Sequence, residues 1–313
     1  MAKVLKVAVG VITNKAGEIL ISQRSVDAHQ GGLWEFPGGK FAEGESAQQA
    51  LKRELLEELG IIVISAKPML TIEHDYGDLS VHLDVHRVDV FQGETRGAEK
   101  QQIKWLAASE LNKYAFPAAN KKIIDTLSLP QHYPIVDELL GDADVMLKQL
   151  SSLISRGYKL IQLRAKSFED EEFETLAKVA LKQCESSGVL LFLNTRLEVA
   201  LSLNASAVHL SFNEFCSSPL PFPDDLSTAV SCHSQYELSA AQKAGALFTV
   251  LSPVSATQSH PNVKPLGWQR FAEIVNNNAS PVYALGGVGP ADLRKARSSG
   301  AYGVSGIRGF SRE

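Results

Sequence analysis

Hydrophobic and polar positions alternate in two different ways along the chain. Near the start, the apolar runs LKVAVGVIT and EILISQR predict two strands joined by a turn over residues 14–17. From Tyr133 onward, eight short apolar runs alternate with helical patterns such as FEDEEFETLAKVALKQC. Such alternation predicts a (β/α)₈ barrel. The proline-flanked segment 130–134 is predicted to link a first domain, 1–129, to the barrel domain, 135–313.

The segment 39–61, GKFAEGESAQQALKRELLEELGI, joins a glycine turn to an acidic helical pattern. At helical spacing Glu54, Glu57 and Glu58 stand at positions i, i+3 and i+4, so their carboxylates share one face. Three like charges on one face repel unless a cation lies between them. Mg²⁺ or Mn²⁺ meets that need, because these hard ions prefer oxygen ligands and are often shared between carboxylates and phosphates.

An ordinary solvated acidic face is the alternative explanation of this helical pattern. The surrounding residues favour the metal site. Gly38 and Gly39 supply a turn that can bring backbone N–H groups close to a ligand. Lys40 follows at a position suited to phosphate, and Arg53 can orient the neighbouring carboxylates. Gly60 is a helix stop signal.

The whole segment resembles the Nudix box. The positions of the box are filled without a departure by Gly39, Glu45, Arg53, Glu54, Glu57, Glu58 and Gly60. The resemblance implies an α/β Nudix sandwich, with a mixed β-sheet between helices. It also implies a hydrolase that cleaves a nucleoside diphosphate linked to another moiety, with the divalent cation held by the box glutamates.

The first part of the chain resembles, more narrowly, the MutT-type Nudix hydrolases, which are 8-oxo-dGTP diphosphatases. The similarity is clearest over ILISQRSVDAHQGGLWEFPGGKFAEGES. The residues expected at the nucleotide are Arg24, His29, Phe36, Gly38, Gly39, Lys40, Tyr76 and Asn120. Asn120 would read the base, because a carboxamide donates and accepts together on the edge of an oxidised guanine. Arg24 would donate to a carbonyl oxygen, and Phe36 and Tyr76 would offer apolar or stacking surface.

Simpler interpretations exist for single pocket residues. His29 also suits a loop, Phe36 a core, and Asn120 a helix cap. These residues align with the MutT-type pocket in the same register as the Nudix box. This favours their assignment to a pocket for a purine nucleoside triphosphate.

The resemblance also implies the reaction. A metal-activated water attacks the β-phosphorus of the nucleoside triphosphate, giving the monophosphate and pyrophosphate. The expected metal-binding residues are Gly38, Glu54, Glu57, Glu58 and Glu99. Glu99, in the loop GETRGAEKQQIKW, would supply a further ligand or the general base, and its alternative is an ordinary exposed glutamate. Glu54 and Glu99 are both candidates for the base.

Residues 133–310 resemble the thiamine-phosphate synthase family and its thiazole tautomerase relatives. The resemblance rests on Gln162–Lys166, Asn194–Arg196, Val208–Leu210, Ser252–Val254 and Ala284–Gly287. Thr195 stands where the synthases have a magnesium-binding Asp, Glu214 where they have a second Asp, and His260 where they have a phosphate-binding Lys. The tautomerase histidine is replaced by Pro253. These departures argue against pyrophosphate displacement.

Sites of such barrels gather at the C-terminal ends of the strands, and phosphate is often bound after strands seven and eight. Small residues at these ends would let a phosphate approach backbone N–H groups. They are Gly286, Gly287, Ser305 and Gly306. The alternative is that the glycines only serve tight turns. The barrel is expected to bind a phosphorylated ligand or to be a structural unit, and a bifunctional enzyme with thiamine-phosphate synthase activity is the alternative.

The amino-acid composition and net charge limit the kinds of binding partner that are expected. With 313 residues, 44% hydrophobic and 21% charged, and a net charge of −4, the chain is typical of soluble globular proteins and offers no electrostatic case for gripping nucleic acid. Three cysteines without metal-ligand spacing, and no signal peptide or long apolar run, predict a cytoplasmic protein without membrane binding. A hydrolase of another nucleoside diphosphate derivative and a nucleotide-sensing module are the remaining alternatives, and the intact glutamate set counts against the sensor.

Overall fold

A computed structural model describes residues 4–27, 29–219, 222–223, 225–257, 263–276 and 280–311. Contacts between Cα atoms divide the chain into two compact units, with the main boundary between Ser128 and Leu129. His260, where the sequence departs from the synthase pattern, lies outside the described residues. Within the described ranges, no helix is long and apolar enough to cross a membrane.

The first unit combines two β-sheets with helices. Its strands are β1 (Leu5–Ile12), β2 (Ile19–Gln23), β3 (Trp34–Glu35), β4 (Gly38–Lys40), β5 (Ile62–Asp75), β6 (Ser80–Gln92) and β7 (Ile103–Leu106). Its helices are α1 (Ala47–Leu59) and α2 (Lys121–Leu127), with short 3-10 helices at Ala108–Lys113 and Ala118–Asn120. One sheet has the order β4-β1-β6-β5 and is mixed, because β1 pairs parallel with β6 and antiparallel with β4. The other sheet, β3-β2-β7, is antiparallel.

Strand β1 is covered on both faces, because successive side chains of a strand point to opposite sides. Ala8 and Ile12 pack in one apolar cluster with Leu51 of α1. Val9 belongs to a second cluster, which includes Ile123 of α2. The predicted sandwich of a mixed sheet between helices is therefore confirmed. The two predicted strands β1 and β2 are also present, although they lie in different sheets.

Local signals set both ends of helix α1. The Ser46 hydroxyl accepts a hydrogen bond from the backbone N–H of Gln49, whose side chain accepts one from the Ser46 N–H in return. Gly60 ends the helix in the left-handed conformation, with a φ of 71°, as its stop signal predicted. Buried Leu51 and Leu55 fix the opposite face to the core, so the acidic face is directed away from it.

The second unit is a closed barrel of parallel strands. The strands are β8 (His132–Asp137), β9 (Leu160–Arg164), β10 (Leu190–Asn194), β11 (Ala207–Ser211), β12 (Ser227–Cys232), β13 (Phe248–Leu251), β14 (Val282–Ala284) and β15 (Gly303–Gly306). The helices are α3 (Ala143–Ser155), α4 (Asp170–Ser186), α5 (Leu197–Ser202), α6 (Phe212–Ser217), α7 (Gln235–Lys243), α8 (Gly267–Val275), α9 (Leu293–Ser298) and α10 (Arg308–Ser311). Strand β8 closes the barrel by pairing with both β15 and β9. Each predicted apolar run contains one of these strands, so the barrel prediction is confirmed.

Aromatic side chains fill the centre of the barrel. Tyr133, Phe192, Phe248 and Tyr283 are fully buried. Ring centroids of neighbouring pairs among them lie 4.9 to 5.8 Å apart. The interior is therefore packed, which leaves the strand ends as the place for polar chemistry.

The linker predicted at 130–134 differs from the structure. Strand β8 already begins at His132, and Tyr133 and Pro134 pair with residues of β15. The prolines are visible in the sequence, whereas the pairing that buries Tyr133 involves a strand far along the chain. The segment is therefore largely part of the barrel wall.

Candidate active site

The glycine turn fits closely against helix α1. A Cβ atom on Gly39 would lie 2.1 Å from the Glu54 carboxyl carbon, and one on Gly38 would lie 2.0 Å from the Ala8 carbonyl oxygen. Gly38 also has a φ of 150°, which residues with a side chain rarely adopt. The two glycines therefore allow β4 to lie directly beside the acidic face of the helix. The side chain of Lys40 is exposed at the end of this strand.

Arg53 holds several carboxylates of the box at once. Its Nε and Nη2 donate to the two oxygens of Glu45, each at 2.8 Å. Its Nη1 donates to Glu54 at 2.7 Å and to Glu57 at 3.2 Å, and Nη2 also donates to the Lys40 carbonyl at 3.0 Å. The hydrogen bonds from Arg53 lower the pKa of Glu45 to about 2. Because the planar guanidinium fixes direction as well as distance, Arg53 orients Glu54 and Glu57, two of the candidate metal ligands.

Glu58 lies in a different environment from the other two glutamates of the acidic face. Its carboxylate accepts a hydrogen bond from the Gly38 N–H at 3.2 Å. Burial raises the pKa of Glu58 to about 8, and the negative charges of three neighbours add to the effect of burial. These neighbours are Glu35, Glu54 and Glu99. Three neighbouring carboxylates therefore disfavour the charged form of Glu58 beside the glycine turn.

This donor set suits a divalent cation. Carboxylate and backbone carbonyl oxygens are hard ligands, and a divalent charge would relieve the repulsion at Glu58. Among the described residues, no three Asp, Glu, His or Cys side chains are already arranged to hold a metal ion. Arg53 donates to Glu54 and Glu57, while the Gly38 N–H donates to Glu58. Each of these hydrogen bonds uses one carboxylate oxygen, and a carboxylate can bind a cation through its second oxygen.

Glu99 is exposed in the loop between β6 and β7. The loop is anchored to the end of α1, because the Ala98 N–H donates to the Glu58 carbonyl at 2.9 Å. The Gln101 side chain donates to the same carbonyl and accepts from the Glu99 N–H, both at 2.9 Å. The structure therefore brings Glu99 towards the box glutamates.

Arg24 and Glu35 form an ion pair at the other side of the glycine turn. Arg24 Nε also donates to the His29 carbonyl at 3.0 Å. Burial raises the pKa of Glu35, and the charge of Arg24 opposes this shift. Glu35 is not among the site residues predicted from the sequence, although it directly precedes Phe36 in the matched segment. Its charge raises the pKa of Glu58, an effect between separate segments that the local pattern does not reveal.

The remaining pocket candidates have distinct environments. Phe36 is buried and stacks on Phe116, with ring centroids 5.5 Å apart, which supports its interpretation as a core residue. Asn120 is buried and precedes α2, but its side chain makes no capping hydrogen bond. Its carboxamide is therefore not explained as a helix cap. His29 and Tyr76 are in edge-to-face contact, with centroids 5.3 Å apart.

Polar side chains occupy the C-terminal ends of the first barrel strands. Asp137 ends β8 and forms a buried ion pair with Arg164 at the end of β9. The Gln162 side chain donates to the side-chain amide oxygen of Asn194 at 3.3 Å. Within the described residues, Asn194 Nδ2 is buried without a hydrogen-bond partner. Among the described residues at this end of the barrel, Arg164 is thus already paired with Asp137, and the Asn194 side-chain N–H₂ has no hydrogen-bond acceptor.

His209, on β11, links side chains of β8 and β12 inside the barrel. Its Nδ1 lies 3.0 Å from the Tyr133 hydroxyl and its Nε2 lies 2.8 Å from the Ser231 hydroxyl. Burial lowers the pKa of His209 to about 3. The ring is therefore neutral at physiological pH and links hydroxyl groups inside the barrel.

The predicted phosphate-binding residues have steric roles in the structure. Gly286 and Gly287 have φ values of 94° and 64°, and Cβ atoms there would lie 2.8 Å and 2.4 Å from the segment 253–256. A Cβ atom on Gly306 would lie 2.6 Å from a carbonyl oxygen. Ser305 is buried, and its hydroxyl donates to a carbonyl of β8 at 2.7 Å. These contacts support the close-packing alternative, and the phosphate site stays a prediction.

The donor set of the barrel does not fit a magnesium ion at the positions expected from the synthases. Thr195 carries no charge, and it lies with Arg196 in a left-handed turn. The Arg196 guanidinium is held by Asp170 at 2.9 Å and by backbone carbonyls. Glu214 turns back onto its own helix, where its carboxylate accepts from the N–H and hydroxyl of Ser211 at 2.8 and 2.7 Å. One carboxylate is therefore missing, and the other is engaged as a helix cap.

Comparison with known proteins assigns the two units separately. Residues 132–310, more than half of the chain, match the family model of thiamine monophosphate synthase, and residues 8–126 match that of the NUDIX domain. A protein of Aquifex aeolicus (strain VF5), provisionally named thiamine-phosphate synthase 2, is 33% identical over 59% of this chain and 99% of its own length. The 8-oxo-dGTP diphosphatase of Escherichia coli (strain K12) is 39% identical over 40% of this chain and 97% of its own length. The CTP pyrophosphohydrolase of the same organism is 34% identical over 37% of this chain and 87% of its own length. The chain therefore belongs to the thiamine monophosphate synthase family through its second unit and is, in its first unit, a Nudix hydrolase of the MutT type.

Proposed function

We propose that the first unit hydrolyses 8-oxo-dGTP, and dGTP more slowly, to the nucleoside monophosphate and pyrophosphate. The observation that carries the chemistry is the cluster of carboxylates beside the glycine turn, where Arg53 holds Glu54 and Glu57 and the Gly38 N–H donates to Glu58. The substrate is inferred from the similarity to 8-oxo-dGTP diphosphatases. Such an activity removes oxidised nucleotides from the DNA precursor pool and prevents A:T to C:G mutation.

The residues of the acidic centre have separable roles. When bound, Mg²⁺ or Mn²⁺ would lower the pKa of a water ligand and neutralise negative charge on the phosphoryl oxygens. The residues that would hold the cation are Gly38, Glu54, Glu57, Glu58 and Glu99. Arg53 keeps Glu54 and Glu57 on the same side of α1, and the exposed Lys40 meets the phosphates. Glu54 and Glu99 are the two candidates for taking the proton from water.

The base would be read by Asn120 and Arg24. The Asn120 carboxamide makes no cap to α2, which leaves its donor and acceptor for the edge of an oxidised guanine. Arg24 is directed by Glu35 and the His29 carbonyl, and Phe36 forms part of the apolar wall.

Steady-state kinetics of the full chain with Mg²⁺ test the proposal. We expect kcat/KM for 8-oxo-dGTP to exceed that for dGTP by ~10³ or more, which corresponds to about 4 kcal/mol of transition-state discrimination. CTP belongs in the same panel because of the similarity to CTP pyrophosphohydrolase. A higher kcat/KM for CTP, or for another nucleoside diphosphate derivative, would keep the Nudix chemistry and discard the substrate.

For the second unit, we propose ligand binding without pyrophosphate displacement. The proposal is supported by the neutral Thr195 and by the capping role of Glu214. With the substrates of thiamine-phosphate synthase and Mg²⁺, the chain should form no thiamine phosphate above a protein-free blank, while an active synthase serves as the positive control. Turnover by this chain would restore the bifunctional alternative. An increase of the melting temperature with thiamine phosphate would identify a retained phosphorylated-ligand site, and no increase would favour a structural unit.

A further inference from the structure

The turn between β5 and β6 carries a tyrosine with two sets of contacts. The turn is tight, because the Tyr76 N–H donates to the Leu79 carbonyl and the Gly77 N–H donates to the Asp75 carboxylate, both at 2.9 Å. Tyr76 is half-buried and packs against the apolar cluster that contains Ile123. Its ring is thus held in a fixed place on the first unit.

On one side, the tyrosine is bonded to the 3-10 helix that leads to Asn120. The Tyr76 hydroxyl accepts a hydrogen bond from the Ala119 N–H at 3.3 Å. Ala119 lies in the short helix Ala118–Asn120, directly before the proposed base-reading residue. The next N–H, that of Asn120, donates to the Pro117 carbonyl at 2.9 Å. One side-chain hydroxyl thus fixes the backbone from which the carboxamide projects.

On the other side, the same ring contacts the loop that orients Arg24. The His29 ring meets the Tyr76 ring edge to face at 5.3 Å, and His29 Nε2 lies 3.5 Å from the Asp78 carboxylate. The His29 carbonyl accepts from Arg24 Nε at 3.0 Å. The His74 ring, on β5, also contacts the Tyr76 ring, with 4.5 Å between the ring centroids. Tyr76 therefore contacts both the segment that carries Asn120 and the loop that orients Arg24, the two residues proposed to read the base.

We propose that Tyr76 is a positioning residue that sets the selectivity for an 8-oxopurine over the unmodified purine. Its hydroxyl fixes Asn120 through the Ala119 N–H, and its ring fixes Arg24 through His29. Selectivity between two purines that differ at one edge requires donors and acceptors held in a constant relative position. The expectation from the sequence that Tyr76 offers apolar or stacking surface to the base stays a prediction beside this role. The inference rests on the proposed function of the first unit.

The test is Tyr76→Phe in the full chain, since this change removes the hydroxyl and keeps the ring. We expect the ratio of kcat/KM for 8-oxo-dGTP over dGTP to fall about tenfold, with kcat for dGTP changed less than about twofold. Asn120→Ala should lower the ratio further and sets the scale of the effect. Tyr114→Phe is the matched control, because Tyr114 is a half-buried tyrosine of the same unit whose ring contacts Trp34.

Amide hydrogen exchange provides a readout independent of substrate. In Tyr76→Phe the Ala119 N–H should exchange at least about tenfold faster than in the unaltered chain, and in Tyr114→Phe its rate should be unchanged. An unchanged selectivity ratio in the folded Tyr76→Phe protein would overturn the proposal, as would unchanged exchange at Ala119. If the unaltered chain shows no preference for 8-oxo-dGTP, the proposed function fails, and the exchange rate still decides whether Tyr76 holds this backbone.

Discussion

At the scale of single residues, the three glutamates of the acidic face differ in what compensates their charge. Glu54 and Glu57 share the Arg53 guanidinium. Glu58 receives one backbone N–H and is raised in pKa to about 8 by burial and by neighbouring carboxylates. Identical residue types at regular helical spacing therefore have different chemistry, because Arg53 pairs with two of them and burial acts on the third.

Glu54→Gln tests the role of the acidic face in the reaction. The change replaces a charged oxygen ligand by a neutral side chain of nearly the same shape, so kcat should fall at least ~10²-fold while the fold is retained. Glu110→Gln, at a half-buried glutamate paired with Lys113 in the 3-10 helix Ala108–Lys113, is the matched control and should keep full activity. Near-normal turnover by folded Glu54→Gln in the Mg²⁺-dependent assay would overturn the metal assignment.

The raised pKa of Glu58 predicts a pH dependence of stability in metal-free protein. The folded pKa, about 8, lies above the ordinary value of 4.5, so the folded state binds the proton more tightly than the unfolded state does. Stability should therefore fall as pH rises from about 5 to about 8. Glu58→Gln cannot ionise and should lack this component, which we expect on the order of 2 kcal/mol.

Denaturant unfolding with a chelator, at pH 5 and pH 8, measures the difference between the two proteins. The affinity for Mn²⁺ should rise over the same pH range, because binding requires the ionised carboxylate. Equal pH dependence of the unaltered chain and of Glu58→Gln would contradict the proposed environment of Glu58.

At the scale of elements, the site depends on the close approach of β4 to α1. The capping box at Ser46 and the stop at Gly60 define the helix locally, and both signals are readable in the sequence. The space between strand and helix is set by Gly39, where any side chain would overlap the Glu54 carboxylate. Glu35 acts on Glu58 from outside the helix, and for that reason the periodic pattern of the helix does not predict it.

Gly39→Ala should impair the site more than the fold. The added methyl group would displace Glu54, so we expect at least a tenfold loss of kcat/KM and weaker Mn²⁺ binding. Gly44→Ala is the matched contrast, because Gly44 has a φ of 79° and a Cβ atom there would meet nothing within 4 Å. That variant should lose about 1 kcal/mol of stability from backbone strain and keep its kcat/KM. Equal activity of the two variants would contradict the steric role of Gly39.

At the scale of the whole molecule, each unit has its own apolar clusters. The clusters around β1 draw their buried members from residues up to Ile124. Those of the barrel draw theirs from Leu129 onward. We propose that the two units fold around separate cores, with the boundary near Ser128.

Leu150→Ala tests this separation. Leu150 is fully buried on α3 in the outer apolar layer of the barrel, so its truncation should cost about 2–5 kcal/mol. Denaturant unfolding followed by tryptophan fluorescence should show the loss in one transition only, and kcat/KM for the Nudix substrate should stay unchanged where both units are folded. Loss of Nudix activity in step with barrel unfolding would contradict independent cores.

The sequence by itself determined the acidic helix, its ends, the eight barrel strands and the families of both units, because these depend on spacing and local propensity. Tertiary structure decided which groups meet. It brought Glu35 towards Glu58 and placed the Tyr76 hydroxyl within hydrogen-bonding distance of the Ala119 N–H. It also made the predicted linker part of the barrel wall. These contacts join residues through strand pairing and burial, and side-chain periodicity along one segment carries no information about the partner that another segment brings.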